Sequence, residues 1–290
     1  MNSHDISQYI NILKDHEKYF WTDNEYLQKL ANTLKENPQA GVFEVVMASY
    51  LRYAGHKIEI NDLPGSGGLD YIVTTPNGDI FLLEATTLEE SSISEKTGLP
   101  DTNYFQGEAS GFGLETIRTK LSEKSGQIGR GIKYPVIVAV GSWHANAHLF
   151  LGGDAARDAF TGKPKIGVNI KNGTHLGEVS SLEESIFFRF NKRSKKTEHC
   201  RRNISAVIFV AFTSAEMTLV GILNPAPLRE LDITYFPLLP FLRAKNNPLD
   251  EGFIETEWLM YYSGDKGIQK LNLPEDRGNL NLGLKLRIKN

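Results

Sequence analysis

The sequence predicts an α/β fold, a mixed sheet flanked by helices, on three observations. Residues 67–75 and 80–86 are runs rich in β-branched and aromatic side chains on either side of Pro76-Asn77-Gly78, a strong hairpin signal. Residues 134–140, Tyr134-Pro135-Val136-Ile137-Val138-Ala139-Val140, form a continuous apolar run of the kind found in a strand buried on both faces. Residues 39–53 and 114–128 carry helical periodicity. With a short strand expected at residues 56–61, residues 39–141 read helix, strand, strand, strand, helix, strand.

The hairpin fixes the most informative geometry. Pro76 suits the first turn position, and Gly78 can adopt the left-handed conformation that closes a three-residue loop. In that register Thr75 faces Asp79, Val73 faces Phe81 and Asp70 faces Glu84. Directly opposed residues share a face of the sheet, so the two carboxylates meet at the open end of the hairpin. A two-residue loop would send them to opposite faces. Like charges held opposite each other are destabilising unless something positive lies between them. The pair therefore marks a candidate metal site.

Before the hairpin, residues 4–36 read as two helices with stripes Ile6, Tyr9, Ile10, Leu13 and Tyr26, Leu27, Leu30, Ala31, Leu34. Thr22 and Glu25 have capping-box spacing, and Asn37-Pro38 ends the second helix. The helix at 39–53 is apolar around nearly its whole circumference, yet Glu44 sits in its middle. A carboxylate there needs a pair, a hydrogen bond or a metal. Reaching solvent at the helix rim, or pairing with Arg52, is the plainer alternative. The glycine-rich residues 63–68 precede a strand rather than open a helix, which argues against a nucleotide cradle. Residues 89–113 are polar and rich in Ser, Gly and Thr, and read as a long loop.

On the helix at 114–128, Leu114, Ile117, Leu121 and Ile128 form the apolar stripe, and Lys120, Lys124 and Gln127 lie on a neighbouring one. Lys124 is nearest the apolar edge and can point along the sheet; a solvated basic face is the alternative. Further on, residues 155–160 suggest a short helix, 181–190 an amphipathic segment, and 204–212 with 217–223 a second hairpin broken by Asn224-Pro225. Residues 191–202 form a basic tract with Lys192, Arg193, Lys195, Lys196, Arg201 and Arg202. His144 and His148 have zinc-like spacing but no third ligand close by in the sequence. Cys200, in the basic run, is a candidate for a lowered pKa without an evident catalytic partner. Three segments are expected: a helical lead-in at 1–38, a core at 39–150, and a C-terminal α+β extension at 151–290 packed on the core.

The order αβββαβ, with Asp70 and Glu84 on the hairpin and Glu44 on the preceding helix, resembles the core of the PD-(D/E)xK nuclease superfamily, the restriction-endonuclease-like fold. The resemblance covers residues 39–141. It implies that Asp70, Glu84 and Glu44 hold Mg²⁺, with Mn²⁺ able to substitute, and that a lysine two residues after Glu84 assists the attacking water. That position is Thr86. Some members of the superfamily place the basic residue on the following helix, which makes Lys124 the expected replacement, Lys120 the alternative, and Gln127 a neighbour for substrate or water. The basic residues of the tract, with Lys120, then become contacts for a DNA backbone. The expected function is metal-dependent hydrolysis of DNA phosphodiester bonds. The alternative is a catalytically inactive module of the same fold that binds nucleic acid or a partner protein. Many enzymes of this fold pair to cut both strands, so a homodimer is an expected assembly.

Composition frames these readings without choosing among them. Forty per cent hydrophobic and 23% charged residues suit a soluble globular protein, and a net charge of −3 does not advertise a nucleic-acid binder. Local patches matter more than the sum. The single cysteine excludes an intramolecular disulfide framework and fits a reducing, cytoplasmic setting. No apolar run approaches the ~20 residues of a membrane helix, and the first ten residues lack a signal-peptide core.

Overall fold

The computed structural model describes residues 9–61, 68–100, 113–129, 131–162, 164–168, 175–180, 182–212, 216–251, 254–264, 266–271 and 284–287. Expectations for Ile6, residues 63–67, the 101–112 stretch, Arg130 and the 213–215 turn lie outside them.

Two helices open the chain, α1 (Ile10–Tyr19) and α2 (Asn24–Glu36). The α2 cap is Asp23, whose side chain accepts the Tyr26 N–H at 2.9 Å, rather than Thr22. Asn37 then caps α3 (Pro38–Tyr53) by accepting from Ala40 N, and Pro38 occupies its first turn, where the missing N–H is harmless. The Asn-Pro pair thus begins a helix as well as ending one.

After β1 (Lys57–Ile60) come β2 (Tyr71–Thr74) and β3 (Ile80–Thr87), in the expected register: Val73 lies opposite Phe81 and Tyr71 opposite Leu83. Thr75 N donates to Asp79 O at 2.8 Å, Gly78 N to Thr75 O at 2.9 Å, and Gly78 has φ +88°. Turn chemistry sets this register, because only a left-handed residue closes the loop. The next segment differs from the expected long loop. The polar stretch contains a helix, α4 (Glu90–Thr97), with Ile93 fully buried and Gly98 at φ +70° ending it.

Helix α5 (Leu114–Gln127) leads to β4 (Val136–Ser142), buried along its whole length. Short helices α6 (His148–Leu151) and α7 (Gly153–Thr161) follow, then two hairpins of their own, β5 (Pro164–Val168) with β6 (His175–Ser180) and β7 (Phe188–Asn191) with β8 (Lys196–His199). The second of these carries Lys192, Arg193, Lys195 and Lys196 of the basic tract, and Arg201 and Arg202 follow it. The chain then returns to the main sheet with β9 (Ala206–Phe212), β10 (Glu216–Leu223), β11 (Pro240–Ala244), β12 (Thr256–Tyr262) and β13 (Gly267–Leu271). A short helix, α8 (Pro248–Glu251), separates β11 from β12, and β14 (Leu284–Arg287) pairs with β10.

The main sheet is mixed and ordered β1-β2-β3-β4-β9-β10-β11-β12-β13. The β1-β2-β3 pairs are antiparallel, β3-β4 and β4-β9 parallel. The C-terminal half therefore continues the sheet and also supplies part of the cover over one of its faces. Alternation sorts β4 cleanly: Val136, Val138 and Val140 join α5, α6 and α7 in one core, while Ile137 and Ala139 join α2 and α3 in the other. At Gly141 the ring of Phe43 comes so near that a Cβ would lie 2.4 Å from it, so glycine lets α3 seat on the sheet. Among the described residues no helix is long and apolar enough to cross a membrane.

Candidate active site

Asp70 stands one residue before β2 and is pinned by its backbone. Its N–H donates to Leu83 O at 3.1 Å and its carbonyl accepts from Asn61 N at 3.2 Å, so β1 and β3 hold it from both sides. Its Oδ2 accepts the Ala85 N–H at 2.7 Å. Glu84, the residue opposite, is buried with 5% of its side chain exposed. Leu82, on the same face of β3 by parity, belongs to the α5 core, so Glu84 looks toward that helix.

Helix α5 answers with Lys124. Leu121 and Ile128, three residues before and four after it, are buried in the core, which brings Lys124 to the edge of the apolar stripe. Its Nζ forms an ion pair with Glu84 Oε1, and its side chain is 20% exposed. Two residues after Glu84, on the same strand, Thr86 is buried, and the lysine that meets Glu84 comes from α5. Lys120, one turn earlier, pairs instead with Glu123 at 3.8 Å. Gln127 is exposed on the last turn, and no hydrogen bond among the described residues joins it to the carboxylates.

Glu44 enters from the other layer. Its Oε1 accepts from Tyr71 Oη at 3.0 Å and from Tyr26 Oη at 3.1 Å. The Arg52 pairing does not occur: Arg52 lies over the Tyr19 ring at 4.6 Å. Behind Tyr26 stands His16, fully buried, with Nε2 at 2.7 Å from the Tyr26 hydroxyl. Burial and then the Arg52 charge push His16 down to about 3, so the ring is neutral. The Tyr26 hydroxyl also meets the Tyr71 hydroxyl at 2.5 Å, so its single proton faces Glu44, Tyr71 and His16, and which of them accepts it follows the His16 tautomer.

Electrostatically the three carboxylates form one strained group. Burial raises Asp70 well above the usual range, and the charges of Glu84 and Glu44 raise it further, against the Ala85 N–H and Lys124. Burial also raises Glu84, with Lys124 opposing. Glu44 is raised by burial in spite of its two tyrosine bonds. The charge of the exposed Lys29, one turn beyond Tyr26 on α2, holds down both Glu44 and Glu84. Lys124 and Lys29 thus face three acids. A site of this kind favours a cation or an amine-rich neighbourhood.

No family model, no curated protein and no solved structure matches the chain. What the site can do rests on its own atoms.

Among the described residues no three His, Cys, Asp or Glu side chains are placed together to hold a metal ion. Asp70 and Glu84 are the two that share a strand face, which fits a hard cation taking one or two carboxylates with water and phosphate. Glu44 reaches the pair through its charge, with its hydrogen bonds directed at tyrosines.

The other candidates resolve differently. In the basic tract Lys192, Arg193, Lys195 and Lys196 are exposed around the β7-β8 turn, and Arg202 is exposed while donating to Ala226 O at 3.0 Å. Arg201 is spent internally, on the carbonyls of Ile186 and of Arg118 at 3.1 Å, and is not a free phosphate contact. That bond, together with Asn203 Nδ2 to Ser125 O at 2.7 Å, clasps the tract to α5. Cys200 is buried and its thiol is pushed up, not down. His144 Nδ1 accepts the Asn146 N–H at 3.0 Å and Nε2 lies 3.1 Å from Ser94 Oγ, so this ring serves the fold and has no lone pair for zinc.

The sequence reading missed His16, Tyr26, Tyr71 and Lys29. Tyr26 was placed in an apolar stripe on its ring alone. A buried tyrosine hydroxyl usually finds a partner, which was the available signal.

Proposed function

We propose that the chain is a metal-dependent nuclease of the PD-(D/E)xK kind that hydrolyses DNA phosphodiester bonds. The observation that carries this reading is the Lys124–Glu84 ion pair opposite Asp70 on the hairpin. A buried acid pair with an amine at its edge supplies the parts that such hydrolysis requires: ligands for a hard cation, and a base or charge stabiliser for water. Asp70 and Glu84 would hold Mg²⁺ or Mn²⁺, with Glu44 supporting them. The ion supplies charge neutralisation at the scissile phosphate and a more acidic water. Lys124 orients water and faces developing negative charge, and Glu84 holds its ammonium in place. Thr86 adds a hydroxyl but no charge. The exposed lysines and Arg193 at the β7-β8 turn give the phosphate backbone a basic surface on a segment tied to α5.

Purified protein should nick or cut DNA with Mg²⁺ or Mn²⁺, and Asp70→Ala should lower the rate by about 100-fold or more. Equal cleavage by wild type, Asp70→Ala and Glu84→Ala would sink the proposal. Thr86 at the family's lysine position favours a second reading, a silent module that binds nucleic acid. Its signature is salt-sensitive DNA binding that survives loss of both acids but not of Lys192, Arg193, Lys195 and Lys196.

A further inference from the structure

We infer that the hydroxyls of Tyr26 and Tyr71 are positioning groups for Glu44, so that helices α1 and α2 are part of the cation site and not a lead-in. This rests on the metal reading proposed above. Both hydroxyls converge on the same oxygen, Oε1, at 3.1 and 3.0 Å, and Oε2 carries neither bond. Tyr71 comes from the strand that Asp70 begins, and Tyr26 from a helix 45 residues away in sequence. Each is held rigidly. Tyr71 is fully buried, and Tyr26 is 7% exposed.

The two hydroxyls also meet each other at 2.5 Å, so with Glu44 Oε1 they form a closed triangle, and His16 Nε2 joins it at the Tyr26 oxygen. His16 Nδ1 is the open end of the chain: it is buried and, among the described residues, has no hydrogen-bond partner. An unpaired buried nitrogen is a cost that packing alone would avoid, since a phenylalanine at position 26 and an apolar residue at 16 would fill the same space. Phe20 already packs at an angle against these rings, with centroids 4.8 Å from His16 and 5.1 Å from Tyr26. The polar chain ends at the carboxylate and fixes the position of its Oε1. Carboxylates that ligate metals are usually held by such outer hydrogen bonds.

Calorimetric titration of the full chain with Mn²⁺ tests this. Wild type should bind, Asp70→Ala should not, and Tyr26→Phe and Tyr71→Phe should each weaken binding by about 10-fold. In a Glu44→Gln background, Tyr26→Phe should weaken it no further, because its effect passes through Glu44. A merely structural tyrosine would cost the same in both backgrounds, and that result overturns the inference. So does wild-type affinity in both Phe variants. Should Tyr26→Phe fail to melt cooperatively, Tyr71→Phe with Glu44→Gln completes the same cycle. Mn²⁺ binding that is absent in wild type, or unaffected by Asp70→Ala, overturns the metal reading itself and the inference with it.

Discussion

Two buried polar clusters lie on this protein's core, and they are built on opposite principles. Around His144 the hydrogen bonds run to neutral groups. Its Nδ1 accepts from Asn146 N, its Nε2 meets Ser94 Oγ, its own N–H donates to Ser142 Oγ, and Asn146 Nδ2 donates to Pro100 O. Around Asp70 three carboxylates press on one another with two lysines to offset them, and all three have raised pKa values. The first cluster closes a loop. The second holds charge in a place where charge is expensive, which is the usual mark of a site kept for a ligand or a reaction.

That contrast can be broken most directly at Lys124. Lys124→Ala should cut DNA cleavage by about 100-fold, the scale of a lost acid–base group. Adding Thr86→Lys to it should restore part of the rate, because position 86 lies on the same strand face as Glu84. No recovery in the double variant would mean that the amine must come from α5. His144→Ala should behave in the opposite way. It removes the bonds to the Asn146 N–H and Ser94 Oγ and should cost about 1–3 kcal/mol of stability in a denaturant titration. Cleavage per folded molecule should stay at the wild-type value.

Asp70→Asn gives the smallest and sharpest difference. The amide keeps an oxygen for the Ala85 N–H and removes a charge from the cluster. In metal-free protein near pH 7 it should raise the melting temperature by about 2 °C or more. The sign in pH follows from linkage. The folded pKa of Asp70 lies above the unfolded one, so between those two values the folded state binds more protons, and stability tied to this group rises as pH falls. The advantage of Asp70→Asn over wild type should therefore shrink as pH is lowered toward the ordinary carboxylate range. An advantage that grows on acidification would contradict the crowding of Asp70, Glu84 and Glu44.

Much of this site was legible in the chain because its determinants are local. Pro76-Asn77-Gly78 dictates a loop length, loop length dictates register, and register puts Asp70 opposite Glu84. Lys124 was legible for a related reason: helical periodicity places it between Leu121 and Ile128 at the apolar edge. What the sequence hid was contact between distant segments. Nothing near Tyr26 announces that its hydroxyl meets a glutamate on the next helix, nor that Arg52 leaves that glutamate for the ring of Tyr19. Helix α4 was hidden because its polarity mimics a loop, with Ile93 its one fully buried residue. The insertion of β9 beside β4 was equally silent, since a continuous apolar strand shows that it is buried but not by what.

The parallel pairing of β4 with β9 has a consequence for how the chain is made. From Ile137 to Ser142, β4 bonds to residues Ala206 to Ala211, with some 70 residues synthesised between them. Through that interval a nascent chain carries a wholly apolar strand with one edge open, the form most prone to stick to its neighbours. Helices α6 and α7 and the two small hairpins emerge in the meantime. Phe150, Phe160, Phe187 and Phe188 from that region share the core with Val136, Val138 and Val140, so it can shield one face of β4 but not its edge. A ribosome stalled where β4 has left the exit tunnel and β9 has not should therefore expose a segment that chaperones bind, and one stalled after β9 has emerged should not.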